Sequence, residues 1–318
     1  MGARYLVRFG GTLEAPHGDR GGTVLAERVQ TVLDGVDARM SNYRPDSELS
    51  RLNAAAAGED IEVSAPLYEV LALSQRVARE SGGALDITVA PLVDAYGFGP
   101  GERTSDPVEL ARRRELVGYA QLRLLAPGIV RKEQAGVACT LSAVAKGYAV
   151  DQVARVLEEA GVHDYMVEVG GEVKVRGRNA SGRPWRVGIE RPAADAFSAP
   201  RVQEALEPGD AAVATSGDYR NYREENGVRV SHTLDPRTGA PIRHTLASVT
   251  VVHPSAAAAD AYATALNVLG PREGPALAER LGLAALFLVR EGATFRSVAT
   301  QGFSELRTSQ RQTAGGSA

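Results

Sequence analysis

Two residues one helical turn apart suggest a metal site. Asp260 and Thr264 stand four residues apart in an alanine-rich segment, so a helix would present both from one face. A carboxylate and a hydroxyl in this arrangement suit Mg²⁺, which keeps waters and substrate phosphates as its other ligands. A local hydrogen bond between the two side chains on a packed helix would satisfy the same spacing, so the spacing alone leaves both interpretations open.

A lysine near the start of a helix suggests an anion site. The apolar spacing predicts a helix over Leu141 to Glu159, with Lys146 in its first turns. Cations are disfavoured there because the helix N-terminus is already partially positive, and a bound anion would reverse that preference. The alternative is a surface lysine on an amphipathic helix.

Two further residues could take part in chemistry. His232 lies on a predicted strand that enters a D-P-R-T-G-A-P turn, where it could act as a general base or pack as a half-buried strand histidine. Tyr43 follows a predicted helix and could stack on a ring or pack within a loop.

The elements that would position these residues alternate between helices and short strands. Strands are expected at Ala84–Val89, Tyr165–Val169 and Val173–Arg176, with Gly170-Gly171 forming a tight hairpin turn. We expect Pro192 to Pro208 to form an irregular excursion and two helices to start at Ser255 and near Glu273. This mixture predicts an α+β fold, with a polar tail over residues 306–318.

Composition excludes several classes of protein. The chain has 318 residues and a formal charge of −3, which argues against a general nucleic-acid binder. The single cysteine, Cys139, excludes an internal disulfide framework and a multi-cysteine metal site. The first residues carry no signal-peptide pattern and no apolar run approaches a membrane span, so we expect a cytoplasmic protein for the chain as given. Two common nucleotide-binding patterns, G-x-x-x-x-G-K-[ST] and G-x-G-x-x-G, are absent.

Seven segments stand in order between about Met40 and Gly270 and cover most of the chain. They are M-S-N-Y-R-P-D-S-E-L-S-R-L-N, G-A-L-D-I-T-V-A-P-L-V, A-K-G-Y-A-V-D, V-E-V-G-G-E, A-T-S-G-D-Y, S-H-T-L-D-P-R-T-G-A-P and A-D-A-Y-A-T-A-L. Taken in this order, they resemble the ApbE family of FAD:protein FMN transferases.

The resemblance implies an enzyme that forms one domain over residues 1–305. That domain would consist of two closely packed subdomains with an FAD cleft between them. The resemblance also implies Mg²⁺-dependent cleavage of the FAD pyrophosphate, transfer of FMN to a Ser or Thr hydroxyl of an acceptor flavoprotein, and release of AMP. The implied metal ligands are Asp260, Thr264 and the backbone carbonyl of Ala143, and Asp260 would also be catalytic through its metal. His232 would accept the proton of the target hydroxyl. The implied flavin contacts are Met1, Tyr43, Ala84, Leu85, Asp86, Lys146 and Leu234.

One position departs from the family pattern. Thr140 stands where the family usually has an aspartate, so a contact to the FAD ribose or adenine would be made by a hydroxyl, and FAD affinity could differ. Two alternative functions remain open at this point: Mg²⁺-dependent hydrolysis of FAD to FMN and AMP, and non-catalytic FAD binding. The resemblance also implies that many relatives are exported or lipid-anchored, unlike this chain as given.

Overall fold

The computed structural model describes residues 3–10, 21–192, 201–217, 222–225, 228–292 and 294–307. It confirms the α+β class, because helices alternate with antiparallel strands. The described residues divide into two compact units. Unit 1 comprises residues 34–145, 222–225 and 228–243, and unit 2 comprises the rest. The single domain over 1–305 stays a prediction.

The element bounds are as follows. The helices are α1 Gly21–Met40, α2 Glu48–Ala54, α3 Ala65–Glu80, α4 Ala90–Ala95, α5 Pro107–Arg114, α6 Ala145–Glu159 and α7 Ala256–Arg280. The strands are β1 Tyr5–Phe9, β2 Ile61–Glu62, β3 Leu122–Ala126, β4 Ile129–Lys132, β5 Tyr165–Val169, β6 Glu172–Arg176, β7 Val187–Arg191, β8 Arg201–Leu206, β9 Ala212–Gly217, β10 Tyr222–Glu225, β11 Val228–Ser231, β12 Leu234–Asp235, β13 Ala240–Pro241, β14 Leu246–His253, β15 Ala284–Glu291 and β16 Thr294–Ala299. None of the helices in the described part of the chain combines the length and apolar character that crossing a bilayer requires.

Unit 2 is built on a seven-stranded antiparallel sheet. Its strand order is β1-β5-β6-β9-β14-β15-β16. Helix α7 packs against β9 and β14, and β14 is buried along nearly its whole length, as expected for a strand covered on both faces. A cluster of buried apolar side chains joins the sheet to the β7–β8 pair and to Phe303.

The predicted hairpin between β5 and β6 is confirmed. Gly170 and Gly171 have φ values of 60° and 103°, and Val169 pairs with Glu172 across the turn. A two-residue turn of this kind needs positive φ at both positions, which glycine adopts without steric cost. The turn therefore places Glu172 at the first position of β6.

Unit 1 carries α2 to α5 and three small sheets. The sheet orders are β2-β4-β3, β10-β11 and β12-β13. Helix α3 carries typical end signals: the Ser64 hydroxyl accepts from Leu67 N–H, Pro66 lies in the first turn, and Gly82 follows its end with φ 61°.

The prediction of a strand over Ala84–Val89 is wrong. Residues Ile87–Val89 form a 3₁₀ turn that leads into α4. The Asp86 carboxylate accepts from the Thr88 N–H at 2.9 Å and from its hydroxyl at 2.6 Å. Such a local side-chain cap competes with strand pairing, and here it overrides the β propensity of the Ile-Thr-Val sequence.

Three other expectations need correction at their boundaries. Helix α6 begins at Ala145 rather than Leu141, because the backbone just before it, at Cys139 and Thr140, is hydrogen-bonded to other segments of unit 1. Part of the expected excursion over Pro192 to Pro208 is β8, which pairs with β7. Residues 301–307 are helical, so regular structure continues two residues past the expected start of the tail, and 308–318 lie outside the described residues.

The two helices expected from Ser255 and near Glu273 are found as two parts of α7. Gly270 has φ 74° and ψ −166°, and Pro271 follows it. Proline cannot donate the helical hydrogen bond and disfavours a helical residue before it, so the helix breaks at this point.

Candidate functional site

Three charged side chains of unit 2 meet at the start of α6. Lys146 stands in the first turn of the helix, and its ammonium pairs with Glu172 and lies 3.4 Å from Oδ1 of Asp260. Both carboxylates are buried, whereas the Lys146 side chain keeps 33% of its surface exposed. Two carboxylates in contact outweigh the unfavourable helix dipole, which explains a cation at this helix start.

The cluster has an excess of negative charge. Two carboxylates share one ammonium, so its formal charge is −1 when all three groups are ionised. Burial and the neighbouring Asp260 raise the pKa of Glu172, and Lys146 offsets this only in part. Burial lowers the pKa of Lys146, but the two carboxylates outweigh it, and that pKa lies above its ordinary value. An additional cation would therefore be attracted to these carboxylates.

The backbone of α6 holds Asp260 from one side. Gly147 donates its N–H to Oδ2 of Asp260 at 3.1 Å. A Cβ on Gly147 would lie 2.2 Å from the Ala256 carbonyl oxygen, so only glycine permits the close approach of α6 and α7. Asp151, one turn further along α6, accepts from the Ser255 hydroxyl at 2.8 Å and from Ala257 N–H at 3.0 Å, which ties α6 to the N-terminus of α7.

The donor set of unit 2 fits Mg²⁺. Asp260 and Thr264 lie one turn apart on α7, and Thr264 is half-buried. Across the described residues, no group of three or more His, Cys, Asp or Glu side chains could hold a metal alone. Mg²⁺ is commonly held by one or two carboxylates together with substrate phosphates, so a sparse oxygen set beside excess negative charge suits this ion.

Unit 1 brings together three of the segments implied to contact flavin. Thr140 donates its N–H to the Ile87 carbonyl at 2.7 Å, next to Asp86, and its hydroxyl to Oδ1 of Asn42 at 3.3 Å, next to Tyr43. Tyr43 is 72% exposed, so its ring is available for stacking. These segments therefore form one hydrogen-bonded group around Thr140.

Asp86 lines a cavity of about 570 Å³. Ala84, Leu85 and Asp86 are all buried, and burial raises the pKa of Asp86 although hydrogen bonds from Thr88 partly offset it. Other residues lining the cavity include Gly83, Arg114, Tyr119 and Arg237. The volume is in the range of small-molecule pockets.

The D-P-R-T-G-A-P turn borders the same cavity. Arg237 pairs with Asp235 at 2.9 Å, and Leu234 is buried where β12 pairs with β13. His232 is half-buried two residues before Leu234, and its ring meets the edge of Phe98 with 6.4 Å between centroids. The sequence motif is thus a compact turn that places Pro236 and Arg237 at the cavity wall.

The predicted residues are distributed over both units. Unit 1 holds Tyr43, Ala84, Leu85, Asp86, Thr140, Ala143, His232 and Leu234, and unit 2 holds Lys146, Asp260 and Thr264. Met1 lies outside the described residues. Ala143 is half-buried in the turn before α6. Their ligand and flavin roles stay predictions.

Glu172 is the charged residue that the sequence reasoning missed. It lies within the V-E-V-G-G-E motif, and its position directly after a two-glycine turn is a sequence signal that points to it. A glutamate at the start of a strand whose neighbours are apolar is exposed in most proteins, so its burial beside Lys146 could not be read locally.

Comparisons with known proteins agree on one family. The profile of the ApbE family matches residues 1–287. The chain is 41% identical over 307 residues to an FAD:protein FMN transferase of Vibrio cholerae, covering 95% of this chain and 89% of that protein. It is 40% identical over 287 residues to the same-named protein of Haemophilus influenzae, covering 88% and 82%. A solved structure of a mutant flavin transferase ApbE from Vibrio cholerae superposes with a TM-score of 0.87 at 38% identity, covering 96% of each chain.

Proposed function

This chain belongs to the ApbE family, and we propose that it is an FAD:protein FMN transferase that uses Mg²⁺ to move FMN from FAD to a Ser or Thr hydroxyl of an acceptor flavoprotein. The hydroxyl oxygen attacks the FMN phosphorus, the bond to the bridging oxygen breaks, and AMP leaves with that oxygen. The observation that carries the proposal is the buried, negatively charged cluster of Asp260, Glu172 and Lys146.

The residues of unit 2 would bind the pyrophosphate group of FAD. When bound, Mg²⁺ supplies charge neutralisation at the leaving phosphate. Asp260 and Thr264 offer it oxygen ligands, and the Ala143 carbonyl is the further ligand that the resemblance implies. Gly147 orients the Asp260 carboxylate through its N–H, and Lys146 holds Glu172 and Asp260 in place. The Lys146 side chain is 33% exposed, and in this proposal its ammonium would also face a phosphate oxygen of bound FAD.

The residues of unit 1 would bind the flavin and activate the acceptor. Tyr43 presents an exposed ring for stacking, and Asp86 and Leu234 lie beside the turn and the cavity described above. Thr140 would provide a neutral contact to the ribose or adenine. His232 would accept the hydroxyl proton as the bond to phosphorus forms.

The test is a reconstituted transfer reaction. The protein is mixed with FAD, Mg²⁺ and a flavoprotein that carries a Ser/Thr-containing acceptor motif. We expect the acceptor to gain the mass of an FMN group and AMP to appear in equal amount. AMP and free FMN without acceptor labelling would instead identify an FAD pyrophosphatase, and neither product would identify a binding protein.

A charge-removing variant tests the metal assignment. Asp260→Asn should lower the transfer rate by orders of magnitude and leave the circular dichroism spectrum unchanged, because it removes the buried anionic ligand. Asp210→Asn is a matched control, since it removes an exposed carboxylate from the same unit. Full activity of the Asp260 variant, or of the parent protein in EDTA, would exclude the proposed metal site.

A further inference from the structure

The side chains of Asn42 and Asn53 hydrogen-bond to the backbone of Cys139, and we call this set of hydrogen bonds the grip. The Cys139 N–H donates to Oδ1 of Asn53 at 2.7 Å, and the Cys139 carbonyl accepts from Nδ2 of Asn53 at 2.9 Å and of Asn42 at 3.1 Å. Asn53 therefore satisfies both backbone groups of one residue, 86 positions away in the chain. Asn42 also accepts the hydroxyl proton of Thr140, so the grip covers two consecutive residues.

A buried lysine contacts the backbone of Asn53. The Lys132 ammonium donates to the backbone carbonyl of Asn53 at 2.7 Å and to that of Val137 at 3.3 Å, and only 1% of Lys132 is exposed. Within the described residues, no carboxylate lies within ion-pair distance of it. Burying a cation on neutral acceptors costs free energy, and burial lowers the pKa of Lys132 accordingly. An apolar side chain at position 132 would stabilise unit 1 without the free-energy cost of burying a charge. The contribution specific to Lys132 is therefore its hydrogen bond to Asn53.

The gripped segment carries two residues of the proposed site. Thr140 follows Cys139 directly, and Ala143 is three residues after Thr140, in the turn before α6. The Met40–Asn53 segment is one of the family motifs, and it contains both asparagines besides Tyr43. Asn42 precedes α2 and Asn53 lies in its last turn, and the Ser47 hydroxyl caps the helix start by accepting from Ser50 N–H. The capped helix therefore gives Asn53 a defined position.

We propose that Asn53 and Asn42 are positioning residues that fix the Cys139–Thr140 backbone and thereby set where the Thr140 hydroxyl and the Ala143 carbonyl lie. Lys132 supports this grip through Asn53. The inference rests on the proposed function, because it gives the segment its purpose, but the grip itself has a readout that needs no enzyme activity.

The cysteine in the grip is a built-in probe. Cys139 is the one cysteine of the chain, it is fully buried, and burial raises the pKa of its thiol to about 12. A thiol reagent can therefore react with it only when the segment opens. Asn53→Ala removes two hydrogen bonds and should speed labelling by roughly tenfold or more. Asn42→Ala removes one hydrogen bond to the carbonyl and should give a smaller, several-fold increase.

A core variant of the same unit separates local opening from global unfolding. Leu67→Ala deletes a fully buried side chain of α3 and leaves both asparagines in place. The two variants are compared at urea concentrations where their free energies of unfolding are equal. Faster labelling of the Asn53 variant supports the grip, and equal labelling rates would overturn it.

Kinetics then test whether the grip serves the site. Asn53→Ala should raise the KM for FAD and the Mg²⁺ concentration for half-maximal rate more than it lowers kcat. Asn53→Asp keeps the acceptor for the Cys139 N–H and should fall between the parent and the alanine variant. Unchanged FAD titration and Mg²⁺ dependence in a variant with faster labelling would overturn the positioning role. If the parent transfers no FMN, the proposed function fails, and the FAD titration and the labelling rates still decide on the grip.

Discussion

Removing the ammonium from the charged cluster should destabilise the protein through the carboxylates that remain. In Lys146→Met, Glu172 and Asp260 keep their buried positions but lose the cation they share. Methionine fills a similar volume, so the change is chiefly one of charge. The variant tests whether Lys146 mainly compensates the negative charge of these two carboxylates or is mainly a surface residue.

The size of the effect follows from burial. Removing one partner of a buried ion pair costs about 3–5 kcal/mol, because an uncompensated charge stays behind. The Lys146 side chain is 33% exposed, which places the expected loss at the lower end, about 3 kcal/mol of the free energy of unfolding. Adding Glu172→Gln removes one of the two negative charges and should restore at least about 1 kcal/mol.

The assay is urea unfolding followed by circular dichroism, with Lys174→Met as the matched control. Lys174 pairs with Asp151 at 2.8 Å in the same unit, and Asp151 keeps two other donors, Ser255 and Ala257, when the lysine is removed. The control should therefore lose only about 1 kcal/mol. Equal losses in both variants, with no recovery on adding Glu172→Gln, would refute the reasoning that Lys146 balances two buried carboxylates.

Three further predictions concern single residues. Gly147→Ala should destabilise by about 2–3 kcal/mol in thermal or urea unfolding, because its Cβ would lie 2.2 Å from the Ala256 carbonyl oxygen; a neutral or stabilising effect, as helix propensity alone would give, would contradict the packing. His232→Asn should slow FMN transfer strongly and leave the FAD dissociation constant unchanged, and an active variant would remove the proposed base. Thr140→Asp should tighten FAD binding by about 1 kcal/mol in calorimetric titration, and weaker binding at both low and high salt would contradict this contact.

The sequence predicts local structure correctly where the contacts that determine that structure are also local. The Gly170-Gly171 hairpin needs only positive φ at two positions, and the placing of Asp260 and Thr264 on one helix follows from a four-residue spacing. The break at Gly270 follows from the proline after it. Each of these depends on residues within one turn of each other.

The expected strand over Ala84–Val89 failed because two local preferences compete there. Ile87, Thr88 and Val89 favour a strand, and Asp86 favours a capped turn. The turn was stabilised by further contacts: the Thr88 hydroxyl accepts from Gly118 N–H at 2.8 Å, 30 residues away. The start of α6 was misplaced for a similar reason, since the Cys139–Thr140 backbone is held by Asn53, Asn42 and Ile87.

The family, the α+β class and the residues that could carry the chemistry follow from the amino-acid sequence, because ordered motifs and short-range spacing are properties of the chain itself. Which charged side chains meet depends on tertiary packing. Lys146 finds Glu172 at a separation of 26 residues and Asp260 at 114, and burial of both carboxylates gives the cluster its excess negative charge. Burial and the identity of a distant partner depend on how the whole unit packs, and no window of the sequence contains that information.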